Sequence, residues 1–397
     1  MKEYKISMID GTEGTLKETD KLKAFKSDNY NYLFLKTNGT FLRWGNAEKV
    51  EESKQVSVSK SDLELYKIWI ALWGKVSLSQ FVADLKTDGD INKSVPELVD
   101  MEISELCEGV PGVGPCRFCY KSNVGNKGDN MDFETFKRVF HKLPKTITQI
   151  AFGIGTIRLQ PDLWKIFDYC RQNGVIPNVT VNGDVNDEDI DNIAKYCGAC
   201  AVSVYDSELT YNTIKKLTDK GMKQINIHYM ISEETYEGAL KLLNDRLNDD
   251  RLKNLNAIVL LSLKPKGRAA NGKFTKLSQE KFDTLFEFAL KNNIGCGFDS
   301  CSAAKAFTYI SDKPHYSSIG TYIEPCESSI YSAYINVRGD YFPCSFSEGA
   351  KNWENGISVL ECSDFMKDIW FNKRTTEFSK GVKKCRECNV GCPIYEI

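Results

Sequence analysis

The sequence predicts an α/β protein, an open barrel of strand–helix units preceded by a small accessory unit and followed by a cysteine-rich one. Two observations carry this expectation. Between residues 99 and 299 short apolar runs alternate regularly with helical stripes, the mark of repeated strand–helix units around a parallel sheet. After residue 300 that periodicity gives way to cysteines, glycines and short strand-like pieces.

Length and charge set the outer bounds. With 397 residues, 42% of them hydrophobic, the chain can bury two or three domains rather than one. The formal charge of -2 gives no net pull toward nucleic acid or an anionic membrane, so nucleic acid is not indicated as a partner. The best apolar run, Ala257 to Leu263, falls far short of the roughly 18 residues of a membrane span. Met1-Lys2-Glu3-Tyr4-Lys5 continues to Asp10, Glu13 and Glu18 without an apolar core, which excludes a secretory signal and predicts a cytoplasmic protein.

Residues 1–97 read as polar and irregular except for two apolar-rich runs around Asn38-Gly39, a hairpin signal over Tyr32 to Trp44. Leu63, Tyr66, Ile68, Trp69, Leu72 and Trp73, then Leu78, Phe81, Val82 and Leu85, fit one or two amphipathic helices broken near Gly74. Such a unit serves as a packing extension or as a substrate-docking module.

Residues 98–299 hold the strand candidates Val99 to Leu106, Ile147 to Phe152, Ile176 to Val181, Ala201 to Tyr205, Ile225 to Ile231 and Ala257 to Leu263, with Ile294 to Phe298 as a further one. Six of them make a partial (β/α)6 TIM barrel. Leu163, Ile166, Phe167 and Cys170 recur at helical spacing, as do Phe282, Leu285, Phe286 and Ala289, and each stripe should face the sheet. In residues 300–397, Tyr334 to Val337 and Tyr341-Phe342 flank a turn at Arg338-Gly339-Asp340. A core this small needs staples, and bound metal supplies them because ligation free energy becomes folding free energy.

Fourteen cysteines without an export signal argue for metal ligation rather than disulfides. Cys107 closes the first expected strand, and Cys116-Arg117-Phe118-Cys119-Tyr120 follows a loop rich in glycine and proline. Three thiolates thus converge beyond a strand's C-terminal end, where barrels assemble reaction sites on variable loops. Three cysteines hold three irons of a four-iron cluster and leave the fourth open, whereas structural zinc closes with four protein ligands.

The cysteine after the first strand, the Cys-x-aromatic-Cys-Tyr step, the six strand–helix units and the cysteine-rich tail resemble the radical S-adenosylmethionine (SAM) enzymes that carry a SPASM or twitch auxiliary-cluster domain. The likeness covers about 300 residues. The family's usual spacing is Cys-x3-Cys-x2-Cys, whereas eight residues separate Cys107 from Cys116. The resemblance implies that Cys107, Cys116 and Cys119 hold a SAM-binding [4Fe-4S] cluster, with Phe118 beside the adenine. The family's Gly-Gly-Glu step falls on Phe152 to Thr156, ahead of Leu159-Gln160-Pro161-Asp162-Leu163, which aligns Gly155 with the second glycine and Thr156 with the glutamate. A neutral threonine accepts from the cofactor ammonium about half as strongly as a carboxylate does. Asn182 and Ser203 match polar residues ending the third and fourth strands. Arg268, in Lys264-Pro265-Lys266-Gly267-Arg268, matches an arginine that reaches cofactor or substrate. His228, alternating with Ile225, Ile227 and Tyr229, is a core histidine or a barrel-facing substrate contact.

The resemblance also implies an auxiliary cluster. Cys326-x12-Gly339-x4-Cys344 fits the SPASM hairpin, and Cys301 and Cys392 complete four ligands; a twitch-like alternative uses Cys326, Cys344, Cys385 and Cys388, and a zinc ribbon of the tail cysteines is a third arrangement. The implied activity is an oxygen-sensitive reductive cleavage of SAM to a hydrogen-abstracting 5′-deoxyadenosyl radical. Implied partners are an electron donor such as flavodoxin or ferredoxin and a peptide or protein substrate. A small molecule or nucleotide is the other substrate reading, and a noncatalytic, zinc-stapled peptide- or RNA-binding protein is the rival from another class.

Overall fold

The N-terminal chain is more regular than its composition suggests. The computed structural model describes residues 1–50, 58–311, 313, 319–320, 323–350, 352–388 and 392–394. In it, β1 (Lys2–Ser7), β2 (Glu13–Glu18), β3 (Leu22–Lys26), β4 (Asn31–Leu35) and β5 (Phe41–Trp44) form an antiparallel sheet in chain order. The expected hairpin is β4 and β5, with Phe34 opposite Phe41 and a positive φ at Gly39. Residues 2–26, expected to be irregular, make the other three strands. Tyr4, Leu16 and Phe25 are cross-strand partners on one face, which Ile6 shares, while Ala24 lies on the other face opposite Lys17; Ile6, Leu16, Ala24 and Phe25 are buried. Helices α1 (Lys60–Trp73) and α2 (Leu78–Leu85) start at the serine caps Ser59 and Ser77 and are separated at Gly74, where φ is 85°. Trp69 and Phe81 pack with Ala24, Leu33 and Trp44 into this unit's core.

Pro144–Thr148 belongs to the same compact unit as Met1–Glu97. There the Lys23 ammonium donates to the carbonyls of Ile147 (2.5 Å) and Lys145 (3.1 Å) while only 2% exposed. Burial pushes its pKa down to about 7, with Glu18 offsetting part of the effect. Between pH 7 and the ordinary lysine value of about 10.4, the unfolded chain keeps this proton and the folded chain has released it, so stability rises with pH in that window. In urea unfolding, the stability of the wild type relative to Lys23→Met is therefore expected to increase from about pH 7 to about pH 10 and to stay flat below pH 7. A difference independent of pH would exclude this assignment.

The second unit comprises Leu98–Leu143 and Gln149–Ile397. Its strands β6 (Leu98–Glu102), β7 (Gln149–Gly153), β8 (Ile176–Val181), β9 (Cys200–Ser203), β10 (Ile225–Ile231), β11 (Ala257–Ser262) and β12 (Cys296–Phe298) pair in parallel. Helices α3 (Phe133–Lys142), α4 (Leu163–Gln172), α5 (Asp187–Tyr196), α6 (Ser207–Asp219), α7 (Tyr236–Asn248) and α8 (Gln279–Lys291) connect them, and α9 (Ala303–Ile310) follows. The expected stripes are buried: Leu163, Ile166, Phe167 and Cys170 on α4, and Phe282, Leu285, Phe286 and Ala289 on α8. Each large side chain so buried contributes about 1.5–3 kcal/mol.

The tail does not stand apart from the barrel. Strand β13 (Ser332–Ile335) pairs in parallel with β6, setting Ser332 opposite Leu98 and Ile335 opposite Met101. Strands β14 (Asp340–Phe342) and β15 (Ile357–Ser358) extend the sheet antiparallel, and α10 (Lys373–Glu387) follows. The sheet thus reads β12-β11-β10-β9-β8-β7-β6-β13-β14-β15. Among the described residues, no helix is long and apolar enough to cross a membrane.

Candidate active site

The first strand ends at Glu102, not at Leu106 as its apolar run suggests. Beyond it the backbone bonds pass from the sheet to the loop's own returning limb: Ile103 N–H still reaches Gly153 O (3.1 Å), but Glu105 N–H reaches Asp129 O (3.0 Å) and Cys107 N–H reaches Gly125 O (2.9 Å). Cys107 therefore sits on a folded loop at the C-terminal end of β6.

That loop is fixed from three sides. Gly155, after β7, lies so close that a Cβ there would stand 2.5 Å from both Leu106 O and the Cys107 Cβ. Next to it, Thr156 Oγ1 accepts from Glu108 N–H (3.0 Å), while the Asn182 amide, after β8, donates to Gly109 O (3.0 Å). After β11, Arg268 spans the other limb: its N–H donates to Cys119 O (2.9 Å), its Nε to Cys116 O (2.7 Å) and its Nη1 to Asn123 O (3.0 Å). Its Nη2 is buried without a hydrogen-bond partner among the described residues. A buried guanidinium nitrogen left open is costly unless something anionic or polar meets it.

These elements enclose a cavity of about 540 Å³ whose wall includes Cys107, Cys116, Cys119, Phe118, Gly155, Asn182 and Ser203. Thr156 is not on that wall; it is 2% exposed and braces the loop from behind. Phe118 stacks on Tyr205 with ring centroids 6.0 Å apart and meets Phe274 edge-on at 5.7 Å. Burial pushes the Cys116 thiol up to about 11, against the backbone at Phe118, which pulls it down. His228 also lines the cavity, and burial lowers it to about 4, so its ring is neutral at neutral pH. Asp100, on β6, faces the same space; burial raises it to about 6.

A second group of thiols lies in the tail. Burial pushes Cys301 up to about 12 and Cys326 up to about 11; charge on Cys344 and Cys392 adds to both, and Cys326 adds to Cys301. Burial also raises Cys385, with charge on Cys392 and Cys388 adding to it, and Cys388 is exposed. Cys301, Cys326, Cys344 and Cys392 thus lie near enough for their charges to act on one another. Among the described residues, no three His, Cys, Asp or Glu side chains gather closely enough for a single metal ion. A four-iron cluster makes a different demand, because each thiolate binds its own iron and the sulfurs stand wider than the roughly 4 Å of tetrahedral zinc.

No protein-family model matches the chain, and no curated protein matches it in sequence. Among solved structures, Streptococcus suis SuiB bound to precursor peptide SuiA is similar over 90% of this chain and 89% of that one, at 14% identity and a TM-score of 0.60. SuiB bound to S-adenosylmethionine is similar over 95% of this chain and 94% of that one, at 14% identity and a TM-score of 0.59. The chain shares its fold with SuiB.

In this fold, groups that motif reading passed over join the two thiol sets. Lys121, just beyond Cys119, pairs with Glu102 on β6 (2.9 Å) and with Glu348 in the tail. Tyr334 on β13 donates to Glu102 (3.0 Å), and Asn336 donates to Glu348 (2.9 Å). Burial alone would lower Lys121, but the two carboxylates outweigh it and hold the ammonium charged. Burial raises Glu102, and Lys121 opposes it. Lys121→Met would leave the buried Glu102 carboxylate without its cation, while Glu348 keeps Arg338 (3.2 Å). The expected loss is about 3–5 kcal/mol in denaturant unfolding, and a loss below about 1 kcal/mol, the scale of an exposed pair, would show the network to be superficial. The only sequence signal for these residues is their place next to cysteines and at strand ends.

Proposed function

We propose that the chain is a radical SAM enzyme that modifies a peptide or protein. The observation that carries this is a cavity at the C-terminal end of a parallel sheet, walled by three thiols and bordered by a guanidinium nitrogen without a hydrogen-bond partner among the described residues. The donor set fits the group: Cys107, Cys116 and Cys119 are the cysteines on that wall, and three thiolates leave one iron of a [4Fe-4S] cluster open to SAM. When bound, cluster and cofactor supply a one-electron cleavage of the sulfonium that yields methionine and a hydrogen-abstracting 5′-deoxyadenosyl group.

The chain's own residues do the rest. Phe118 and Tyr205 offer the adenine a flat apolar surface and keep water from it. Asn182 and Ser203 supply polar groups on the wall, and Arg268 Nη2 offers a donor suited to the cofactor carboxylate. Thr156 acts as a positioning residue, because its hydroxyl is committed to Glu108 N–H. Asp100 and the neutral His228 face the substrate space, where either can accept a proton or a hydrogen bond from the substrate. Cys301, Cys326, Cys344 and Cys392 hold one auxiliary [4Fe-4S] cluster. The reductant is a flavodoxin or ferredoxin, in the reducing cytoplasm that keeps such thiols free. SuiB in complex with precursor peptide SuiA supports the choice of a peptide substrate.

Anaerobic purification with iron and sulfide analysis tests the cofactors, with about eight irons per chain expected. Reduction in the presence of SAM should then release 5′-deoxyadenosine, and its absence from a fully loaded, reduced sample would overturn the reading. Deuterium transfer into that product from a deuterated precursor peptide, rather than from small metabolites, identifies the substrate class.

A further inference from the structure

We propose that Lys264 is a fixed buried charge that sets the reduction potential of the auxiliary cluster, a positioning residue acting through that cluster rather than on the substrate. The proposal rests on the ligand set given above. Lys264 follows β11 and is 6% exposed. Its ammonium pairs with Asp299 and lies 4.9 Å from the centre of the Phe346 ring. Asp299 is itself held, accepting from Ser262 N–H (3.2 Å) and Ser302 Oγ (2.6 Å). Asp299 stands two residues before Cys301, and Phe346 two residues after Cys344. The ammonium is thus clamped between the segments that carry two of the four thiols; burial lowers its pKa, and charge on all four thiols works against that. Lys264 also lines the cavity, so a cation lies between the substrate space and the tail site.

Burying an ammonium costs several kcal/mol, which an ion pair offsets only in part. A structural role alone would be met as well by an apolar side chain of similar volume. A cluster bound by four thiolates is anionic, and reduction adds one more negative charge. A fixed cation beside it in a poorly polarisable interior therefore stabilises the reduced form more than the oxidised one. The lysine raises the potential, making the oxidised cluster the better acceptor of one electron.

The test is a potentiometric titration followed by electron paramagnetic resonance, in a Cys116→Ala background that removes the first cluster's signal. Lys264→Met should lower the midpoint by at least the roughly 59 mV that changes the oxidised-to-reduced ratio tenfold at a fixed potential. Lys264→Arg should stay near the parent value. Equal midpoints for Lys264→Met and its parent overturn the proposal. Should Lys264→Met fail to accumulate folded, Asp299→Asn carries the test in the other direction: freeing the cation of its counter-charge should raise the midpoint, and an unchanged value again overturns the role. Iron analysis of the Cys116→Ala parent comes first; a parent without iron removes the ligand set and this proposal together, a result distinct from an unmoved potential.

Discussion

Cys116→Ala is expected to lose about four irons per chain, one [4Fe-4S] cluster, and all 5′-deoxyadenosine formation while keeping its fold and its tail cluster. The loop around Cys116 is held by main-chain contacts, because Arg268 bonds to the carbonyls of Cys116, Cys119 and Asn123 rather than to side chains. Removing one sulfur therefore deletes a ligand without releasing the loop. Far-ultraviolet circular dichroism should match the wild type, and anaerobic iron analysis should fall by half. An intact first cluster in this variant would contradict the ligand assignment, and loss of all iron would mean that the two sites do not load independently.

Gly155→Ala should be nearly as damaging, for a reason that motif alignment does not supply. The alignment gives this glycine a role toward the cofactor's amino group, so a methyl there would weaken SAM binding and leave the cluster in place. The geometry gives a different expectation. A methyl 2.5 Å from the Cys107 Cβ and from Leu106 O cannot be accommodated without moving the cysteine. Overpacking of this kind costs about 1–3 kcal/mol, and here the strain falls on a ligand. Iron incorporation at the first site is expected to drop along with SAM binding. Full iron content with selectively weakened SAM affinity would show that Gly155 acts on the cofactor alone.

The barrel was legible because its strands are short apolar runs between turn residues: the expected limits Ile176 to Val181 and Ile225 to Ile231 coincide with β8 and β10. The first strand was read too long because Ile103 and Leu106 continue its apolar pattern, although from Glu105 and Cys107 the backbone N–H groups turn to the loop. Strands β1 to β3 were missed because runs such as Lys2-Glu3-Tyr4-Lys5 carry charge on both faces, and in β1 only Ile6 is buried, so no apolar alternation marks the strand. At the site, cysteine spacing drew attention to the three wall thiols. Spacing could not show that Thr156 is spent on the loop backbone, nor that charge on Cys326, Cys344 and Cys392 acts on Cys301, because the tail reaches the barrel through β13 pairing with β6 across more than two hundred residues. Lys264 was visible only as the residue before a proline.

That long-range pairing bears on biosynthesis. Until Ser332–Ile335 has been translated, the strand leading to Cys107 has a neighbour on one side only. A bare strand edge is a template for sticking to other emerging polypeptides. Cells making this protein must shield that edge, or delay its closure, until Ser332–Ile335 has left the exit tunnel.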